Sequence, residues 1–265
     1  MIQGLRARLG RLREGLAGRR AAAAARRRAA AVPRDAGADA VVEFVMNEGA
    51  GGVEAWQVRE EFTALARLVG TLRPRTVLEI GTADGGTLFA HARLAHDDGL
   101  IISIDLPQGP FGGGYPGWRA PLYRSFAGPG QRLELLRADS HAPETAEALE
   151  RLLAGRRIDY AFIDGDHTYD GVRRDFELCR RFAAPDAVVA FHDIAPVPNP
   201  EWVASAAAAP GDGAVREFWE EVRQRYDHAE FISDTEQEGY GIGVLYLGRP
   251  VPGPDGRPHA GQKIV

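Results

Sequence analysis

Five short apolar runs follow one another along this chain, and each ends in a polar or glycine-rich cluster. Thr76–Ile80 leads into Gly81, Leu100–Ile104 into Asp105, Leu133–Arg137 into Asp139, Ile158–Ile163 into Asp164, and Ala187–Phe191 into His192-Asp193. Runs this short, apolar on both faces, read as strands buried between two layers. Helical patterns lie between and around them: Glu54–Val69, with Val58, Phe62, Leu65 and Leu68/Val69 on one face, then Thr87–Leu94, Pro143–Leu153, Val172–Phe182 and Ala214–Tyr226. Strands alternating with helices require right-handed crossovers and a mainly parallel sheet. Two closing strands, Ala229–Ile232 and Ile242–Leu247, have no helix between them and predict an antiparallel hairpin. The expected fold is therefore α/β: a doubly wound, mainly parallel seven-stranded sheet with an antiparallel edge hairpin and an N-terminal helical extension. The expected division is an Arg/Ala-rich extension over 1–53, a globular domain over 54–250 and a tail over 251–265.

In open sheets of this kind, ligands bind outside the carboxyl ends of the strands, where strand order reverses. One acid at a strand end is noise, but several along one edge describe a site. Composition narrows its chemistry. Lys263 is the single lysine, so no P-loop lysine, Schiff-base lysine or lysine base is available in the body of the chain. A single cysteine, Cys179, excludes an internal disulfide and a multi-cysteine metal site, and suits a cytoplasmic protein. No apolar run is long enough to cross a bilayer.

Charge is uneven. Residues 1–34 hold ten arginines and one acid, Glu14; of 32 basic and 37 acidic residues, 22 and 36 remain for the rest. Ile2, Leu5, Leu9, Leu12 and Leu16 follow a 3-4-3-4 spacing that forms one helical stripe. Such an arm can dock on its own acidic body or on a second copy, lie on an anionic membrane surface, or bind nucleic acid. The expected partners are a small molecule and further copies of the chain, with membrane-surface contact open and nucleic acid not expected.

The first loop reads Glu79-Ile-Gly81-Thr82-Ala-Asp-Gly85-Gly-Thr87, and its glycines let backbone approach a ligand at a helix N-terminus. Gly81, Gly85 and Gly86 do not give the dinucleotide spacing G-x-G-x-x-G, which disfavours a nicotinamide-dependent dehydrogenase. Asp105, 24 positions past Gly81, is placed to accept ribose hydroxyls, and Asp139-Ser140 to meet a purine, with a helix cap as the competing role for Ser140. Asp164, Asp166, His167, His192 and Asp193 come from two adjacent strand ends. Carboxylates with imidazole suit Mg²⁺ or Mn²⁺, and His167 has the ordinary pKa of a general base. The competing reading makes Asp164 a cofactor contact, Asp166 or Thr168 a helix cap and His192 a packing residue.

From Glu54 to Leu247 the chain resembles class I S-adenosylmethionine-dependent methyltransferases, in particular the family of macrocin-type sugar O-methyltransferases and cephalosporin-hydroxylase-like proteins. The resemblance is carried by VLEIGTADGGT (77–87), DLPQGPFGGGYPGW (105–118), FIDGDHTYDGVRRDF (162–176), AFHDI (190–194), REFWEEV (216–222) and GYGIGVLYL (239–247). It implies S-adenosylmethionine contacts at Glu79, Gly81, Asp105 and Asp139, metal aspartates at Asp164 and Asp193, and a base at His167. Thr82, Gly85, Ser140 and Asp164 complete the expected cofactor set, and His192 the expected metal set. His192 stands where metal-dependent sugar members have Glu. The expected function is O-methyl transfer to a hydroxyl of a sugar or natural-product scaffold, metal-assisted with His167 as base. Its alternatives are a metal-independent methyltransferase and a cofactor-binding scaffold without turnover. The loop Pro107–Arg119, with Phe111, Tyr115 and Trp118, is expected to be a lid opposite a wall formed by 196–210, and Phe218 and Trp219 are expected in the core.

Overall fold

The computed structural model describes residues 2–47, 52–109, 114–196, 214–234, 237, 239–248, 251–252 and 258–259, with side chains described from residue 17 to residue 248. Phe111, most of the expected 196–210 wall, Lys263 and the side chains of the leucine stripe lie outside that description.

Helix α1 (Ile2–Ala31) and α2 (Ala38–Val45) precede α3 (Arg59–Leu72). Strands β1 (Thr76–Ile80), β2 (Leu100–Ile104), β3 (Arg132–Leu136), β4 (Ile158–Ile163) and β5 (Ala183–His192) follow. Between them run α4 (Gly86–Leu94), α5 (Ala120–Arg124), α6 (Pro143–Leu153) and α7 (Tyr169–Phe182). Helix α8 (Ala214–Val222), β6 (Asp227–Phe231) and β7 (Ile242–Tyr246) close the domain. The seven strands lie in the order β3-β2-β1-β4-β5-β7-β6. β1 pairs in parallel with both β2 and β4, while β7 runs antiparallel between β5 and β6. Chain order reverses between β1 and β4, which is where the ligand crevice of such a sheet opens.

Strand alternation divides the core into two layers. Val77, Tyr160, Phe162, Val188 and Val244 face α2, α3 and α4, whereas Leu78, Ile80, Ile163, Val189 and Phe191 face α6, α7 and α8. That two-sided burial explains why the strands read as continuous apolar runs. Phe218 and Trp219 are buried as expected, with Trp219 Nε1 donating to Glu230 Oε1 at 2.7 Å.

Two expectations shift. The helix expected from Glu54 begins at Arg59, because the backbone of 54–55 is bonded elsewhere: Ala55 N donates to Val45 O, and Gly86 N to Glu54 O. The 1–53 extension also contributes core. Val41, Val42 and Val45 of α2 are buried in the same cluster as α3 and α4, and Ala25 and Ala29 of α1 join it. Arg93 Nη2 donates to Ala29 O at 2.7 Å, and Arg34 Nη1 to Phe126 O at 2.6 Å, tying the end of the arm to the body. No described helix is long and apolar enough to cross a membrane.

Candidate active site

A cavity of about 630 Å³ opens over the carboxyl ends of β1 to β5. Its size falls in the range of small-molecule sites, roughly 300–1,000 Å³. At its floor the β1 and β4 ends nearly touch. Gly81 N donates to Ile104 O and Asp164 N to Ile80 O, so the ladder continues one residue past each strand. Gly81 has φ +95°, and a Cβ there would overlap the carbonyl oxygen of Asp164, so only glycine fits. The loop then turns through Ala83 (φ 42°) and Gly85 (φ 77°), with the Tyr123 ring beneath Gly85 and Tyr123 Oη donating to Ala83 O at 2.8 Å.

The nucleoside-type residues line one side. Asp105 is buried, and its oxygens accept from Ala83 N at 3.2 Å and Gly114 N at 2.7 Å. Burial raises its pKa, a shift the backbone donors oppose. Gly81, Thr82, Asp139, Ser140 and Asp164 also line the cavity. Ser140 is not the cap of α6; that position is Ala142. Asp139 Oδ1 accepts from His141 N, which fixes the turn.

Glu79 and Gly85 lie outside the lining. Glu79 is fully buried and accepts from Thr87 Oγ1 and Ser103 Oγ, both at 2.7 Å, with His91 Nδ1 3.3 Å away. Ser103 Oγ in turn meets Thr82 Oγ1 at 2.5 Å, so Glu79 is linked to the cavity wall through the hydroxyls of Thr87 and of Ser103 and Thr82. Gly85 serves the turn itself, as the residue preceding α4.

On the other side, β4 and β5 bring four ionisable groups together. His192 Nδ1 lies 3.2 Å from an oxygen of Asp164 and 3.2 Å from an oxygen of Asp193. His167 Nε2 is 3.7 Å from Asp164, and its Nδ1 is 3.4 Å from Asp193. Burial works against charge here, but the opposite charges win. It pushes Asp164 and Asp193 up, yet His192 and His167 leave both below the usual carboxylate range. It pushes His192 and His167 down, yet the two aspartates leave both raised. Asp193 adopts φ 62°, a left-handed conformation that turns its carboxylate into the cluster.

One oxygen each from Asp164 and Asp193 and one ring nitrogen of His167 lie within 4.8 Å of one another, a donor set that fits a divalent ion. The trio shares Asp164 and Asp193 with the expected metal set and has His167 where that set has His192. His192 stands beside the trio, its Nδ1 3.2 Å from an oxygen of each aspartate and its Nε2 buried without a hydrogen-bond partner. Asp166 and Thr168 take the structural role: Asp166 Oδ1 accepts from Thr168 N, and Thr168 Oγ1 accepts from Gly171 N as the cap of α7.

Several lining residues carry no local sequence signal. Gln57 Nε2 donates to Asp164 Oδ2 at 3.1 Å across 107 positions, and Trp56, His141 and Tyr240 join the wall. His141 Nε2 lies 3.1 Å from the buried carboxylate of Asp175. The expected lid is in part fixed structure. Tyr115 is buried edge-on against Tyr123, and Trp118 packs in the space left by Gly18 of α1.

A family model described as a methyltransferase domain matches residues 78–194, from within β1 to just past Asp193. Over that stretch, 117 of its 265 residues, the chain is similar to methyltransferase domains. Tapetum-specific methyltransferase 1 of Arabidopsis thaliana is 28% identical over 111 residues, covering 41% of this chain and 43% of its own length. This chain thus spans less than half the length of that curated relative. Among solved structures, the O-methyltransferase from Bacillus cereus in complex with SAH is 19% identical over 78% of this chain and 90% of its own, with a TM-score of 0.51. Cofactor-bound Rv0187 from MTB is 21% identical over 89% and 90%, with a TM-score of 0.52. At such identities these two likenesses speak for the fold alone, a Rossmann-like, mainly parallel sheet flanked by helices.

Proposed function

We propose that this protein transfers the methyl group of S-adenosylmethionine to a hydroxyl oxygen of a small molecule. The observation that carries the reading is one cavity with two chemically distinct ends. A buried acid and a glycine loop lie over β1 to β3, and an Asp/His cluster lies over β4 and β5. S-adenosylmethionine supplies an already activated methyl group, so the chain's task is to bind, orient and exclude water. Asp105 would hold the cofactor's ribose hydroxyls beside its two backbone donors, and Asp139 and Ser140 would stand at its purine end. At the other end, His167 takes the acceptor's hydroxyl proton on Nε2. The resulting imidazolium is held between Asp164 and Asp193, the arrangement that raises its basicity.

A second reading is favoured by the donor trio. Asp164, His167 and Asp193 would hold Mg²⁺ or Mn²⁺, which supplies Lewis acidity to an acceptor oxygen. His167 would then be a ligand and not the base. This reading of the protein includes a cytoplasmic setting and a homo-oligomer, with membrane-surface contact through α1 as the other role for the arm.

The test begins with calorimetric titration of S-adenosylhomocysteine, then follows transfer of a labelled methyl group to a panel of hydroxylated acceptors with and without chelator. Cofactor binding with transfer that survives chelation supports the His167 base, and transfer lost on chelation supports the ion. Binding without any transfer indicates a scaffold, and no binding removes the proposal.

A further inference from the structure

Among the described residues, three large apolar side chains are conspicuously exposed: Trp56 (52%), Leu106 (45%) and Tyr240 (46%). All three line the single cavity described above. Scattered exposed apolar residues need no explanation, but a set confined to one cavity's walls does. Leu106 follows Asp105 and belongs to the nucleoside end. Tyr240 belongs to the Asp/His end, and Trp56 enters the wall beside Gln57. Trp56 directly precedes Gln57, which is bonded to Asp164, and the Tyr240 ring meets the His192 ring edge-on at 6.0 Å.

Tyr240 is held there by construction. It has φ 58° between Gly239 (φ 78°) and Gly241 (φ 80°), a left-handed run that a bulky residue rarely adopts. The strand-end residues fix its backbone: Ala195 N donates to Tyr240 O at 2.8 Å, and Gly239 N to Pro196 O at 3.0 Å. Beneath the loop lies Glu61 of α3, 1% exposed. Its Oε1 accepts from Ser233 N at 3.0 Å and Gln237 Nε2 at 2.7 Å, and its Oε2 from Gly241 N at 2.9 Å. A buried carboxylate is costly unless its oxygens are hydrogen-bonded, and here three donors of one loop supply both of them.

We propose that Trp56 and Tyr240 are the acceptor-recognising walls, that Glu61 is the positioning residue for Tyr240, and that the acceptor is consequently a hydroxylated ring presenting an apolar face. Aromatic side chains stack on the face of a hydroxyaromatic and on the C–H face of a sugar alike, whereas an open-chain alcohol offers no such face. The inference rests on the assignment of the cavity as a methyl-transfer site.

The experiment uses full-length protein saturated with S-adenosylhomocysteine and titrates three probes: 3,4-dihydroxybenzoate, methyl α-glucoside and glycerol. Binding of one of the two rings, and not of glycerol, is expected, and which ring binds distinguishes the sources. Tyr240→Gly, which the backbone accepts without strain, should weaken that ring about tenfold, while Tyr240→Phe leaves it unchanged. Glu61→Gln keeps the volume but turns a donor toward Gly241 N–H. It should reproduce the Tyr240→Gly loss with S-adenosylhomocysteine affinity intact, a split that a merely structural residue would not give. Binding of neither ring by protein that binds S-adenosylhomocysteine overturns the inference, as does ring affinity indifferent to Tyr240→Gly. Failure to bind S-adenosylhomocysteine instead defeats the proposed function beneath it.

Discussion

Gly81→Ala tests the joint on which the site is built. The substitution imposes two costs that the structure allows to be separated. At φ +95° an alanine is strained, which costs about 1–3 kcal/mol. The new methyl also overlaps the carbonyl of Asp164, a backbone atom that cannot swing aside, and overpacking of this kind costs about 1–3 kcal/mol more. The total, about 2–6 kcal/mol, is a large share of the roughly 5–15 kcal/mol by which domains are stable. Gly155 provides the control. It has φ 87°, but a Cβ there meets nothing within 4 Å, so Gly155→Ala carries the backbone cost alone. Urea unfolding of the two variants, with the midpoint shift converted through the measured m-value, should leave Gly81→Ala less stable than Gly155→Ala by about 1–3 kcal/mol. Gly81→Ala alone should also lose at least about tenfold in S-adenosylhomocysteine affinity, because the displaced β4 end carries Asp164 with it. If the two variants prove equally stable and bind S-adenosylhomocysteine equally well, the close approach of β1 and β4 is not what this glycine provides, and the reasoning is wrong.

Glu79→Gln should lower the thermal midpoint measurably, and Glu79→Ala should cost about 2–5 kcal/mol, since it leaves the Thr87 and Ser103 hydroxyls buried without their acceptor. A wild-type melting curve for Glu79→Ala would contradict the buried role. His167→Ala should reduce methyl transfer about 10²–10⁴-fold while S-adenosylhomocysteine affinity, read by calorimetry, stays unchanged. His141 has its pKa raised by its hydrogen bond to Asp175, against the opposing effect of burial. A raised histidine contributes stability that is fully present below its unfolded value, about 6.5, and is lost as pH rises through the folded value. Unfolding midpoints should therefore fall across the window just above pH 6.5 in the wild type and fall less in His141→Phe; parallel pH profiles would remove the pair from the account.

How much of this was legible in the sequence depends on how far each interaction reaches along the chain. The central strands came through because each is covered on both faces, and that leaves an unbroken apolar run bounded by polar residues. β1, β2 and β4 fall on the runs that predict them, while β5 extends upstream through Pro185-Asp186, where exposure hides the strand. Asp105, Asp139, Asp164, His167 and Asp193 reach the cavity because strand ends carry them there. Helix α2 was not legible, since eight residues in an alanine-rich neighbourhood give too little periodicity to separate from the arm.

Taken alone, the sequence determined the doubly wound sheet, its antiparallel closing hairpin, and the edge at which ligands bind, because those follow from periodicity and from the residue ending each strand. Tertiary structure decided what each site residue does. Glu79 looks like a ligand contact in its motif, but it becomes a buried acceptor for hydroxyls from α4 and β2, which only packing brings to it. His192 comes within 3.2 Å of two aspartates that end two different strands, a neighbourhood only the paired sheet creates. Gln57, Glu61 and Tyr240 acquire their places through hydrogen bonds that span 107 and 180 positions, or through a loop those bonds hold. No local pattern encodes contacts of that range, because they exist only once the sheet has closed.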